Sequence, residues 1–374
     1  MEGRGDSQRA RIGIIGTGWW TTYAHLPSLT TYPAAEIVAL ADPSSERMAH
    51  AMEHFGLSAS TTRQFTDHRT MLDQARPDGV VLATPHGTHY ALAQDVLERG
   101  IGLMLEKPMV LRAAEARHLL QLARHTGAPL VIGYPYHFIE QHRLLRRRIA
   151  GGDLGMLELN QTLFASMVLE YYRANPQAYA DVFKWQVTGP QPTTYSEPSV
   201  AGGGQGHLQV THSAALMLWL TDLRPAEVAA FMANFDVKVD LCDAISVRFE
   251  GGSVGTLAST GAIPAAQSTN QQLELRIYGS EGYALLDAMA GTCSLYFNDG
   301  RVEHLPQVPS DERYPQHATS RHLVDLLLGR ETTNFSDGEI GARTVELLEA
   351  AYRSATERRV VSVAELQAPA SAVA

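Results

Sequence analysis

The chain has 374 residues, 45% hydrophobic and 19% charged, with a net charge of −10 and a pI near 5.8. That length suits about two domains, each able to bury a core, and an acidic chain with no basic stripe is not built for nucleic acid. No run of about 18 apolar residues reads as a membrane span, and the polar opening MEGRGDSQRA reads as a frayed tail rather than a secretory signal.

From Arg11, short apolar runs alternate with helical patterns. The runs are RIGIIG (11–16), EIVALAD (36–42), GVVLAT (79–84), GLMLE (102–106) and LVIG (130–133). They are rich in Val, Ile and Leu without polar alternation, as parallel strands buried on both faces are. Amphipathic stretches such as 89–99 and 112–124 lie between them. The alternation predicts a doubly wound parallel sheet over residues 11–134.

The first run opens into Gly16-Thr17-Gly18-Trp19-Trp20-Thr21 and then a helical pattern. Gly16 permits the tight turn, and Gly18 lets backbone approach a pyrophosphate at the helix N-terminus. Thr21 stands where the fingerprint has its third glycine. Asp42 ends the next strand 24 residues after Gly18. A carboxylate there suits the ribose hydroxyls and repels a 2′-phosphate, so the expected cofactor is NAD rather than NADP.

After Pro135 the pattern changes to hairpins. Strands are expected over 156–168, 227–235, 244–250, 253–260, 272–278 and 292–298, with turns at Gly251-Gly252 and Asp299-Gly300. They suggest a large, mostly antiparallel sheet in an α+β domain over 135–366, with helices at 211–219 and 343–353 and a short tail over 367–374. Too few helical segments follow to cover both faces of that sheet. A homodimer or homotetramer joined through it is therefore expected. The proline-rich stretch 173–205 has little periodicity and reads as a lid, a binding loop or a subunit contact.

The basic run at 143–148 lies in a helical pattern and reads as a solvated face. Cys242 and Cys293 lack metal-like spacing and fit free thiols in a reducing, cytoplasmic setting. Histidines 86, 89, 137, 142, 207 and 212 match no zinc template, so no metal is expected. Lysine is scarce: Lys107, Lys184 and Lys238 stand against 27 arginines.

Several elements occur in order: Gly16-Thr17-Gly18 with His25-Leu26-Pro27, Asp42-Pro43, Ala83-Thr84-Pro85 with His89, Glu106-Lys107-Pro108, Gly133-Tyr134, Gly202-Gly203-Gly204 and His212. Together they resemble the glucose–fructose oxidoreductase and inositol dehydrogenase (Gfo/Idh/MocA) family over most of the chain. The resemblance implies a Rossmann-like domain followed by an open sheet that often packs on another subunit. It implies Lys107 in the cleft beside the reacting hydroxyl, and a histidine, here His212, as general acid/base. It also places Trp19, Trp20, Thr84, Pro85, His86, His89, Glu106 and Lys107 with Gly16, Thr17, Gly18 and Asp42 at the cofactor.

The chemistry agrees with those roles. Imidazole titrates near neutrality and suits proton transfer, and an ammonium beside a developing alkoxide lowers the barrier. Three positions depart from the pattern. Leu208 replaces the aspartate four residues before the histidine, His86 stands where asparagine is common, and His137 where arginine is frequent. If 205–212 is helical, Gln209 and Gln205 share a face with His212 and offer amides in place of the carboxylate. Tyr136, His137 and His207 are further candidates for the proton path. Trp185, with Tyr171 and Tyr172, is a candidate for stacking on a sugar ring.

The leading expectation is hydride transfer between NAD and a secondary alcohol of a sugar, sugar derivative or cyclitol. A redox-neutral, NAD-dependent glycoside hydrolase or lyase acting through a transient keto-sugar is the first alternative. A non-catalytic dinucleotide sensor is the second, and retention of Lys107 and His212 argues against it.

Overall fold

The computed structural model describes residues 8–264 and 270–367. The tails expected over 1–10 and 367–374 fall largely outside these. Of the first, Arg9 donates to the Ala35 carbonyl at 2.9 Å and Ala10 already opens a strand.

The first sheet contains β1 (Ala10–Ile15), β2 (Ala35–Ala41), β3 (Arg63–Phe65), β4 (Gly79–Leu82), β5 (Gly102–Leu105) and β6 (Leu130–Ile132). Its order is β3-β2-β1-β4-β5-β6, parallel throughout. Alternate side chains of the central strands enter two different cores: Ile12 and Ile14 pack with Leu26, Leu29 and Met48, while Ile15, Val80 and Leu103 pack with Leu119. That two-sided burial explains the unbroken apolar runs. The helix Ala318–Leu327, late in the chain, returns to cover this sheet. A Cβ on Gly79 would stand 2.6 Å from Leu327, so glycine lets the helix sit close.

The second sheet contains β7 (Leu157–Ser166), β8 (Pro225–Ala233), β9 (Cys242–Phe249), β10 (Val254–Thr260), β11 (Gln271–Gly279), β12 (Gly282–Asp287), β13 (Thr292–Phe297), β14 (Val302–His304) and β15 (Val361–Ser362). The order is β14-β13-β12-β11-β7-β10-β9-β8-β15, and only the β7–β10 pair is parallel. Gly251 and Gly252 both have positive φ (+85° and +97°), as the tight β9–β10 turn requires. One face of this sheet is buried beneath the helices Thr211–Thr221 and Gly338–Glu357. On the other, Phe231 is 84% exposed. The fold is thus a Rossmann-like sheet followed by a large, mostly antiparallel one. Among the described residues no helix is long and apolar enough to cross a membrane.

Candidate active site

A cleft of about 790 Å³ lies at the carboxyl ends of β1, β2, β4 and β5, facing the helix that carries His212. The strand order reverses there, which is where an open α/β sheet leaves a crevice for a ligand. Gly16 has φ +88°, and a Cβ on it would fall 2.5 Å from the Ala83 carbonyl oxygen, so the protein itself demands glycine. Gly18 differs. No protein atom lies within 4 Å of a Cβ built there, and the residue lines the cleft. The free space beside its backbone fits a closely approaching pyrophosphate. Thr21 is buried and donates its hydroxyl to the Gly16 carbonyl at 2.7 Å, so it fastens the turn where a third glycine would only make room.

Asp42 is held from three sides. Oδ2 accepts the Thr17 N–H at 2.9 Å, while Oδ1 accepts the Ser44 N–H at 2.8 Å and the Arg47 guanidinium at 2.6 Å. Burial works to raise its pKa, but these bonds outweigh it and keep the carboxyl below its ordinary value. Thr17 is wholly buried and shapes the turn.

Glu106 follows β5. Its Oε1 accepts from Trp20 Nε1 at 2.8 Å and His25 Nε2 at 3.0 Å, and its Oε2 accepts the Lys107 N–H at 3.2 Å. A Cβ on Gly133 would lie 2.9 Å from this carboxylate, so glycine gives it room. Burial would raise Glu106, yet His25, Lys107 and Trp20 together hold it below the usual range. The next side chain, Lys107, reaches across the cleft and donates from Nζ to the Leu208 carbonyl at 3.0 Å. Burial lowers this ammonium to about 8, against an upward pull from Glu106.

His212 is 3% exposed and lines the cleft. Tyr136, Phe164 and Tyr314 pack around its ring at centroid distances of 5.7–6.2 Å. Its Nδ1 is buried without a hydrogen-bond partner. Leu208 joins an apolar cluster with Tyr171, Tyr172 and Leu241, and among the described residues no carboxylate acts on His212 in its place. Burial first, then the charges of Lys107 and His137, push His212 well below the usual imidazole range, so it is neutral.

The turn before His212 overturns part of the expected geometry. Gly206–Val210 winds as a π-type turn, which breaks the 3.6-residue register. Gln205 therefore points away from His212. Its Oε1 accepts from Tyr172 OH at 2.9 Å and its Nε2 donates to Ser259 Oγ at 2.8 Å. Asp240 holds this turn. Its carboxylate accepts the Gly204 and Gly206 N–H groups, each at 2.7 Å, and its backbone carbonyl accepts the Gln205 N–H at 2.8 Å. Tyr352 OH donates to Asp240 at 2.9 Å and accepts the His207 N–H at 3.2 Å. The His207 ring stacks on Tyr352, outside the cleft.

Other expected contacts are also corrected. His137 is fully buried, stacked on Trp219 at 4.6 Å and within 3.1 Å of Ser336 Oγ, so it belongs to the core. His89 is buried between the Pro108 carbonyl (2.8 Å) and the Thr84 carbonyl (2.9 Å), tying two strand ends rather than facing a ligand. Trp185 lies against Gly189 of its own loop. Tyr136 is 1% exposed and sits behind the cleft wall, its OH donating to Gln271 Oε1 at 3.4 Å.

Gly16, Gly18, Trp19, Trp20, Asp42, Thr84, Pro85, His86, Glu106, Lys107, Gln209 and His212 do line the cleft. The stretch 173–205 forms one of its walls. It is fastened by Trp19 Nε1 donating to Tyr195 OH at 3.0 Å and by His86 Nδ1 to the Ala201 carbonyl at 3.0 Å. Tyr195, Gln191, Asn270, Gln271, Tyr314 and Gln316 also line the cleft, and no motif announces them.

Comparison with known proteins agrees with this architecture. Residues 10–134 match the oxidoreductase family with an NAD-binding Rossmann fold, and residues 142–285 match the GFO/IDH/MocA C-terminal domain. The chain belongs to the Gfo/Idh/MocA family of oxidoreductases. It is 27% identical over 286 residues to the rhizopine catabolism protein MocA of Rhizobium meliloti, covering 74% of this chain and 78% of that one. It is 24% identical to the D-apiose dehydrogenase of Paraburkholderia graminis over 98% of this chain and 93% of the other. A levoglucosan dehydrogenase solved with NADH and levoglucosan shares the fold, with a TM-score of 0.75 and 19% identity over 95% of this chain and all of that one (100%).

Proposed function

We propose that the protein is an NAD-dependent dehydrogenase or reductase acting on a secondary alcohol of a sugar, sugar derivative or cyclitol. The observation that carries this reading is the convergence of Lys107 and His212 on one cleft beside the Gly16–Gly18 turn. A bound nicotinamide supplies the hydride acceptor or donor. Lys107, fixed by the Leu208 carbonyl, places its remaining N–H groups toward a hydroxyl and offsets charge that develops on its oxygen. His212, neutral and lining the cleft with Nδ1 buried, offers Nε2 to take the hydroxyl proton. Glu106 keeps Lys107 in place through its backbone N–H and balances its charge. Asp42 favours NAD, since a 2′-phosphate brought to it would meet a carboxylate.

One observation favours a second reading. His212 lacks the carboxylate that would stabilise its protonated form, and a redox-neutral cycle through a transient keto-sugar makes different proton demands. The two are separated by a panel of polyols, free sugars and aryl glycosides, followed for reduced nicotinamide and for released aglycone. Net reduced cofactor supports the dehydrogenase. Aglycone release without net cofactor change supports the redox-neutral cycle. Silence in both removes the catalytic reading.

A further inference from the structure

We infer that the substrate is an uncharged glycoside bearing an apolar aglycone, and that sugar phosphates, uronic acids and nucleotide sugars are poor substrates. This rests on the proposed function and narrows it.

Charge makes the first half of the case. Among the described residues, the charged ones lining the cleft are Asp42, Arg47, Asp67, Glu106 and Lys107. Asp42 and Asp67 follow β2 and β3, and Arg47 lies in the helix Ser45–His54. Every lining residue from Ser166 onward, the whole contribution of the chain after the first sheet, carries no formal charge. That is notable in a chain with 27 arginines, because guanidinium is the side chain that recognises phosphate and carboxylate in bidentate fashion. Only Arg47 reaches the cleft, and it is bonded to Asp42. Lys107 already faces Glu106 and donates to a carbonyl. A phosphate or carboxylate on the substrate would be desolvated there without a counter-charge, which is costly.

What lines that half instead is a set of amides: Gln191, Gln209, Asn270, Gln271 and Gln316. An amide both donates and accepts, as a hydroxyl does, so such a set reads a polyhydroxylated ring without needing charge. Asn270 and Gln271 are fixed against the end of β7, where the Asn270 carbonyl accepts the Met167 N–H at 3.0 Å and Gln271 pairs with Ser166.

Another part of the lining is aromatic and largely apolar. Tyr171 stands 5.7 Å from Phe183 and 5.6 Å from Tyr195, and Trp19 joins them at 6.3–6.5 Å, centroid to centroid. Met167, Val168 and Leu208 extend this wall. Leu208 thus does more than lack a carboxylate: it continues an apolar surface. A bare cyclitol would leave that surface against water, whereas an aryl or alkyl aglycone covers it.

The test measures kcat/KM, at saturating NAD, for methyl glucoside, phenyl glucoside, glucose 6-phosphate and glucuronic acid. Calorimetric binding of the same four to the NAD-loaded protein runs in parallel. Phenyl glucoside should exceed methyl glucoside about tenfold, the size of effect an apolar pocket gives for a modest added group. The two anions should fall ~100-fold or more below the neutral compounds, as an unpaired buried charge demands. Phe183→Ala should shrink the phenyl-to-methyl ratio toward one, mainly through KM. Equal or better use of either anion, or no phenyl preference, overturns the inference while leaving the dehydrogenase reading standing. If no compound is oxidised, the functional reading fails. The substrate class is then decided by calorimetry: tighter binding of phenyl glucoside supports it, and tighter binding of an anion refutes it.

Discussion

Lys107 Nζ donates to the carbonyl of Leu208 across 3.0 Å, so the cleft's ammonium is fastened by the backbone of the residue that stands where the resemblance puts an aspartate. The carbonyl supplies position without charge. Burial, not this bond, lowers the ammonium to about 8, against the upward pull of Glu106.

Removing that group should be severe. Lys107→Ala is expected to cut kcat by ~10²–10³, the usual loss for one preorganised donor. His212→Ala should cost ~10²–10⁴ as a general acid/base. Dinucleotide titration should still saturate in both variants, because the Gly16–Gly18 turn and Asp42 are untouched. Near-normal turnover in His212→Ala would transfer the proton to another group.

The pH profile follows from the two shifted groups. Lys107 acts as a cation, so kcat/KM should fall as pH rises through about 8. His212 acts in its neutral form, and its pKa lies well below the imidazole range, so the acidic limb should lie low. Leu208→Asp adds a carboxylate beside both. It stabilises the protonated form of each, so both limbs should move upward. A Leu208→Asp profile that superimposes on the parent profile would refute the assignment.

The two sheets differ in how much of them could be read in advance. The first sheet was legible because its strands are buried on both faces. β3 is not legible because Arg63-Gln64-Phe65 has no apolar run. In the second sheet β12 (GYALLD) lies between two expected strands, while the short β14 (VEH) and β15 (VS) follow the last of them. Lys107 was legible from its place after a strand and from the scarcity of lysine. Gln205 is not on the face of His212 because the i−7 spacing assumes a regular helix, and residues 206–210 form a wider turn. Asn270, Gln271, Tyr314 and Gln316 were invisible because loops and strand ends bring them in without period or motif.

Cofactor choice turns on Asp42 and Arg47, bonded at 2.6 Å. Arg47 is engaged by the carboxylate and so is not free to receive a 2′-phosphate. NAD should bind more tightly than NADP at one ionic strength. Asp42→Ser removes the repelling charge and releases Arg47, and should shift the ratio toward NADP by ~10-fold or more, the worth of about one charge-assisted hydrogen bond. Fluorescence titration of both dinucleotides against both proteins decides this, and tighter NADP binding by the parent would sink it.

The second sheet should hold the oligomer together. Its uncovered face carries Tyr278, Tyr283 and Tyr296 stacked in a row, at 5.3 and 4.7 Å, along with the 84%-exposed Phe231. A stable contact needs about 800 Å² from each partner, which a nine-stranded sheet can supply. Sedimentation at micromolar protein should report a dimer or tetramer, and Tyr283→Asp should shift it toward monomer. A monomeric parent would refute this.

Asp243 provides a test of the polar cluster beneath the turn that leads to His212. It is 4% exposed, and burial, together with the neighbouring Asp240 carboxylate, raises its pKa to about 9. Between the unfolded value of 3.8 and about 9, the folded chain keeps a proton that the unfolded chain has released. Stability contributed at this site is therefore present at low pH and declines as pH rises through that window. Asp243→Asn keeps the neutral form at every pH and removes the slope. It should stabilise the fold at pH 8 by on the order of a few kcal/mol at most, raising the melting temperature there, and change it little at pH 4. Asp240→Asn should do the opposite at pH 8, since that carboxylate accepts two backbone N–H groups and a tyrosine hydroxyl. Loss of stability in Asp243→Asn at pH 8 would mean that the ionised carboxylate, not the acid, is the form the fold holds.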